Sequence, residues 1–145
     1  MQFQKIDNSY IVHVEKGEKV MEKLTQFCID QNITSGQLSG IGAVKNVDIG
    51  AYDLASKDYI HKTYDSILEL LSFQGNVAIK DNEPFIHAHI TLGNHHMEVS
   101  GGHLFEMEVA AVGEFIIHDF KDKTHRELDK DLSLIHISEP TRLSW

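Results

Sequence analysis

The stretch PFIHAHITL at residues 84–92 decides the fold prediction, because apolar and polar side chains alternate along it. In a β-strand, successive side chains point to opposite faces of the sheet. Ile86 and Ala88 then belong to an apolar face, whereas His87 and His89 share the other face. The stretch therefore predicts a strand that is apolar on one side and presents two imidazoles on the other.

A third histidine follows in the stretch GGHL at residues 101–104, where the two glycines leave side-chain space that an ion can occupy. Turn-forming residues at 93–96 predict that the chain folds back, which brings His103 near His89 and exposes the histidines of the turn. Three imidazoles with one coordination position left open are typical of catalytic zinc sites. The alternative stays open, because the chain has 10 histidines and a histidine on a strand usually binds no metal.

The rest of the chain shows the pattern of one helix among short strands. Apolar residues recur at three- and four-residue spacing from Glu18 to Gln31, which is typical of an amphipathic helix packed on a core. Cys28 lies on the apolar face and is predicted to be a buried hydrophobe rather than a nucleophile. Apolar-rich runs between turn residues predict further strands at residues 3–6, 10–14, 47–52, 59–64, 67–79, 97–100 and 104–120. The strands between residues 59 and 120 are predicted to form an antiparallel meander.

Three glycines, Gly36, Gly40 and Gly42, interrupt the strand-like residues 35–44. A phosphate-binding loop would be followed by a Lys-Ser or Lys-Thr pair and an amphipathic helix, and this sequence has neither after the glycines. Glycines within strands more often mark bulges or close backbone approach. We therefore predict that these three glycines serve packing.

The composition is that of one ordinary domain, since the 145 residues are 41% hydrophobic and 24% charged. A single cysteine excludes an internal disulfide, and no apolar run is long enough for a membrane segment, so a cytoplasmic location is expected. The formal net charge of -9 argues against the broad basic face that phosphate-driven nucleic-acid binding requires.

The stretch LSLIHISEPTR at residues 132–142 resembles the translation of a transposon-end sequencing adapter. A match of this length is very specific, although a natural tail of mixed polarity is the alternative. We therefore expect residues 1–131 to form the domain, with the native chain truncated near Asp131. Residues 132–145 are expected to be an artefact that is not part of the fold.

Four short motifs follow one another in the chain: SGIGA at residues 39–43, ELLSFQGN at 69–76, HAHITL at 87–92 and GGHL at 101–104. They resemble the plants-and-prokaryotes-conserved domain family, written PPC or PCC. The resemblance implies an α+β fold with a strongly bent antiparallel sheet and packed helices, assembled as a homotrimer. Free-standing prokaryotic members are usually named as predicted DNA-binding proteins, whereas this chain has no AT-hook and no basic arm.

The resemblance also implies that His87, His89 and His103 form a metal site, with zinc as the favoured ion. Acetolactate decarboxylase, a lyase of the same fold group, likewise holds zinc with three histidines. Two functions stay open. The chain is either a predicted DNA-binding or regulatory trimer whose metal is structural or sensory, or a zinc-dependent lyase or hydrolase that acts on a small polar metabolite.

Glu69, the first residue of the second motif, is a candidate catalytic residue. A carboxylate beside a zinc site acts as a general base or orients a ligand histidine. Leu68, Leu70 and Leu71 surround it in the sequence, so a partly covered hydrogen bond at a subunit contact is the alternative role.

Overall fold

Nine β-strands and one α-helix make up residues 1–138, the part of the chain that the computed structural model describes. In chain order they are β1 (Gln2–Ile6), β2 (Ser9–Val14), α1 (Val20–Asp30), β3 (Gly36–Asp53), β4 (Asp58–Tyr64), β5 (Leu68–Lys80), β6 (Glu83–Gly93), β7 (Val99–Asp119), β8 (Arg126–Asp129) and β9 (Leu134–Ile137). The predicted hairpin at residues 3–14 and the predicted helix at residues 18–31 are confirmed as β1–β2 and α1.

The first seven strands form one antiparallel sheet in the order β1-β2-β7-β6-β5-β3-β4. Strand β7 pairs with β3 as well as with β6, so β3, β5, β6 and β7 close into a ring. Register shifts in the β3–β5 and β3–β7 pairs mark irregularities of the kind that bend long strands. The predicted bent antiparallel sheet is therefore confirmed.

Three details of the fold prediction are wrong. The predicted meander is broken at its start, because β4 pairs with β3 and is not next to β5 in the sheet. Several packed helices were expected, but residues 1–138 contain the single helix α1. No helix in this range is long and apolar enough to cross a membrane. The strands predicted at residues 97–100 and 104–120 are one continuous strand of 21 residues, β7. A side chain at Gly101 would place its Cβ 2.4 Å from the carbonyl oxygen of Ile90. The glycine thus lets β7 pair closely with β6 instead of ending the strand.

Helix α1 buries one face in the core. That face consists of Val20, Leu24, Phe27 and Cys28. Burial raises the pKa of the Cys28 thiol to about 12, with a smaller contribution from Asp119. Because a thiol with this pKa stays protonated at neutral pH, the predicted role of Cys28 as a small hydrophobe is confirmed.

The start of α1 is held by a residue of β7 rather than by its own first residues. Lys19 precedes the helix without making a side-chain capping bond. Instead, Glu106 accepts hydrogen bonds from the backbone N–H groups of Met21 (2.7 Å) and Glu22 (3.1 Å). A carboxylate at this position satisfies free amide groups and complements the helix dipole, which stabilises a helix by about 1 kcal/mol. The cap ties α1 to the strand that also carries His103.

The core contains an aromatic pair at the point where β3 approaches β7. Phe73 and Phe115 are fully buried, with ring centroids 5.1 Å apart and planes at 83°. A Cβ atom at Gly40 would lie 2.3 Å from the Phe115 ring, and Cβ atoms at Gly36 and Gly42 would lie 2.4 and 2.3 Å from carbonyl oxygens of β7. The packing role predicted for the three glycines is therefore confirmed.

The hairpin of β8 and β9 stands outside the seven-stranded sheet. Residues 134–137 belong to the segment expected to lie outside the fold, and in the structure they pair with Arg126–Asp129. The later residues of that segment, 139–145, lie outside the described range. The segment just before β8 is hydrogen-bonded to the main sheet. The backbone N–H of Ile79 donates to the carbonyl oxygen of Thr124 at 2.6 Å.

Candidate metal centre

Strands β6 and β7 bring together the three histidines predicted as metal ligands. His87 and His89 lie on β6, and His103 on β7 pairs directly opposite His89. The turn between the two strands spans residues 94–98, and its own histidines, His95–His96, are exposed as predicted. The predicted fold-back of the chain is therefore confirmed, and it places the three imidazoles in one cluster.

The three imidazoles are close enough to share one ion. One ring nitrogen of each lies within 4.8 Å of those of the other two. The Nε2 atoms of His87 and His89 are 3.2 Å apart. Two nitrogens bound tetrahedrally at about 2.0–2.1 Å from zinc would be about 3.3 Å apart. The two histidines of β6 are therefore spaced as two ligands of one zinc ion would be.

Aromatic rings enclose His103. Its ring centroid lies 4.7 Å from that of Tyr59 and 4.8 Å from that of Phe105. Phe105 also stacks on His61, with centroids 4.1 Å apart. Within residues 1–138, the buried Nδ1 atom of His103 has no hydrogen-bond partner. A buried polar atom without a partner costs about 1–3 kcal/mol, and a bound metal ion is a group that satisfies an imidazole nitrogen. The residues present thus fit a metal ion.

The surroundings of the cluster favour the neutral form of His87 and His103. Burial lowers the pKa of His103 to about 4, and the neighbouring histidines add to this effect. The pKa of His87 is also lowered, first by burial and then by the positive charges of Arg126 and His89. Neutral imidazole is the form that binds metal ions. His87 and His103 are therefore held in the form that binds a metal ion.

The three histidines lie at the wall of a pocket. None of the other residues that line it was predicted from the sequence as a site residue. Tyr59, Phe85, Asn76 and Arg126 also line this pocket. Arg126 is only 9% exposed, and burial lowers the pKa of its guanidinium, which still remains protonated. In the sequence, Arg126 precedes a run of charged residues and looks like part of an exposed hairpin. No local pattern points to its burial.

The structure does not bring Glu69 to the three histidines. Glu69 is exposed on β5 and pairs with Gly93, whereas Gln74 on the same strand pairs with His89. Five residues of extended strand span about 16 Å. The Glu69 carboxylate therefore stands away from the cluster, and it does not line the pocket.

Also contrary to expectation, Gly101 and Gly102 do not leave room for an ion. A Cβ atom at Gly102 would lie 2.7 Å from the carbonyl oxygen of Gly50, so the backbone of β3 occupies that side of the strand. The glycines allow β7 to pack between β3 and β6, which in turn places His103 opposite His89.

Fold and cluster together define a class of protein: a small antiparallel β domain with three clustered histidines beside an open pocket. Residues 1–121 match the family model of the Plants and Prokaryotes Conserved (PCC) domain. The chain belongs to this family, as its four motifs predicted. None of the curated proteins compared with the chain matches it.

Solved structures of similar proteins share the fold over nearly their whole length. A plant- and prokaryote-conserved protein from Pyrococcus horikoshii is 34% identical, with a TM-score of 0.84, and the match covers 98% of this chain and 97% of that one. A metal-containing protein from Archaeoglobus fulgidus is 33% identical, with a TM-score of 0.84 and coverage of 96% and 99%. A candidate DNA-binding protein from Bacteroides thetaiotaomicron is 28% identical, with a TM-score of 0.92 and coverage of 94% and 96%.

Proposed function

We propose that this chain forms a homotrimer with a zinc ion in each subunit, held by His87, His89 and His103, and that the site acts on a small polar metabolite as a lyase or hydrolase. The observation that carries the proposal is the convergence of three imidazoles beside an open pocket. Zinc with three protein ligands would supply a Lewis acid and acidify a water molecule. The metal-containing relative from Archaeoglobus fulgidus supports a metal in this fold.

The chain's own residues would hold the ion and shape its surroundings. The imidazoles of β6 and β7 supply three nitrogen donors. Tyr59 and Phe105 pack against the ring of His103, which excludes water from that side. Charges interact more strongly where water is excluded, so a polar ligand in the pocket would be held more firmly than at an open surface.

Exposed apolar side chains on the sheet support the proposed trimer. Ile11 of β2 and Ile116 of β7 are directly paired and are 47% and 42% exposed. Ile41 of β3 and Val112 of β7 are also exposed. Apolar patches on a folded domain mark surfaces that bind other chains. Association of three copies would remove such side chains from water.

Elemental analysis of the purified protein, together with its mass in solution, tests the proposal. After treatment with a chelator and reloading with zinc, we expect about one zinc ion per chain. The expected mass is three times the 16.4 kDa of one chain. His96→Ala, which removes an exposed histidine of the turn, should leave both values unchanged. A reloaded protein without zinc would contradict the metal site, and a monomeric mass would contradict the trimer.

DNA binding is the second candidate function. It is supported by relatives from Bacteroides thetaiotaomicron and Ralstonia eutropha that are described as candidate DNA-binding proteins. The metal would then have a structural or sensory role. Because the formal net charge is -9, we expect no mobility change of any duplex in a gel-shift titration at low salt. A shifted band that weakens as the salt concentration rises would instead establish DNA binding.

A further inference from the structure

Arg126 is a buried cation with unused hydrogen-bonding capacity in the pocket of the three histidines. Arg126 is 9% exposed, and its Nη2 atom donates to the side-chain oxygen of Asn76. The buried Nε atom has no hydrogen-bond partner within residues 1–138. Arg126 also forms no salt bridge with a carboxylate in this range. A buried charge without a counter-charge is costly, so the arrangement favours an anion from outside the chain.

Contacts of Thr124, two residues earlier, and of the Arg126 guanidinium itself hold Arg126 beside β5 and β6. Just before it, Thr124 accepts a backbone hydrogen bond from Ile79 at 2.6 Å, and its hydroxyl lies 2.8 Å from that of Ser35. The guanidinium itself stands 5.6 Å from the centre of the Phe85 ring. Arg126 also pairs with Ile137 of β9, but the contacts with Ile79, Ser35 and Phe85 are made within the family domain. The position of Arg126 is therefore anchored to the family domain and not only to the hairpin.

A second positive charge reinforces this wall of the pocket. The Nζ atom of Lys80 lies 4.6 Å from the centre of the same Phe85 ring, and Lys80 lines the pocket. The carboxylates of Glu22 and Asp58 also line the pocket, but both residues are exposed. Arg126 is thus the buried charge of the pocket, in a chain whose formal net charge is -9.

We infer that the pocket binds a small organic acid whose carboxylate is held by Arg126 and whose other oxygen atoms face the three histidines. The inference rests on the proposed zinc site and names its substrate class. A guanidinium presents N–H donors in a planar fork that matches the two oxygens of a carboxylate, and Arg126 lines the pocket. Phe85 and Phe105 add apolar walls, which favour an organic acid over inorganic phosphate.

Calorimetric titration of the zinc-loaded protein with lactate tests this inference. We expect lactate to bind the wild type, and Arg126→Gln to weaken binding about tenfold or more, because a charge-assisted pair of hydrogen bonds is lost. Arg126→Lys keeps the charge without the planar fork and should give an intermediate affinity. Lys123→Gln removes an exposed positive charge from the same segment and should bind lactate as the wild type does.

Zinc content is measured on every variant before titration, because Arg126 is expected not to affect it. Equal lactate affinities of the wild type and Arg126→Gln would overturn the inference, as would the absence of lactate binding or tighter binding of inorganic phosphate. A wild type that takes up no zinc contradicts the proposed function instead, and the effect of Arg126 on lactate binding is then measured on the metal-free protein. If Arg126→Gln does not fold, Arg126→Lys provides the comparison.

Discussion

Replacing His103 with alanine is expected to lower the zinc affinity of the protein at least about 100-fold, because one of three protein ligands is lost. His103 is the only member of the cluster that comes from β7, whereas His87 and His89 are neighbours on β6. Without it, only the two imidazoles of β6 remain to hold the ion. Titration with zinc against a competing chelator measures the change in affinity.

Stability measurements separate a lost ligand from a damaged fold. Zinc at about 100 times its dissociation constant should stabilise the wild type by about 2.7 kcal/mol against unfolding. The same zinc concentration should barely stabilise His103→Ala, while both metal-free proteins should unfold cooperatively in urea. His96→Ala should respond to zinc as the wild type does. An equal zinc-dependent stabilisation of His103→Ala would show that His103 is not a ligand.

Phe115→Ala is expected to lower the free energy of unfolding by about 3–5 kcal/mol, because it empties a fully enclosed site in the core. Phe115 is 0% exposed. In the sheet it pairs with Val12 of β2 on one side and with Gly40 of β3 on the other. Its ring also packs edge-to-face on Phe73. The substitution thus removes contacts at the point where three strands meet, and urea unfolding measures the loss.

Phe120→Ala is the matched control for this core substitution. Phe120 follows β7 directly and is 59% exposed, so its truncation should change the free energy of unfolding by less than about 1 kcal/mol. Similar losses for the two variants would mean that the packing around Phe115 does not limit stability. A large loss confined to Phe115→Ala would locate the limiting contacts at the β2–β7–β3 junction.

Local patterns in the sequence were enough to predict the faces of β6. Ile86 and Ala88 are 4% and 1% exposed, whereas His87 and His89 point into the pocket on the other side. The helix and the fold-back before β7 were predicted for the same reason, since spacing and turn residues act within a few positions of the chain. The candidate ligands of the metal site were therefore accessible without a structure.

Contacts between distant residues were not accessible in this way. The closed ring of β3, β5, β6 and β7 depends on how closely β7 approaches its neighbours, and the role of Gly102 follows from the backbone of Gly50, which lies far from it in the sequence. The same holds for Glu69, which looks like a site residue in its motif but lies along the strand from the cluster.

By itself, the sequence determined which histidines share a face and that a third one returns to them, because strand alternation and turn formation are local properties. Only the tertiary structure decided what surrounds those histidines. Tyr59 precedes the two histidine motifs in the sequence and Arg126 follows them. Strand pairing brings both residues to one pocket. The set of candidate ligands is thus a product of local spacing, whereas the surroundings of the pocket arise from long-range strand pairing.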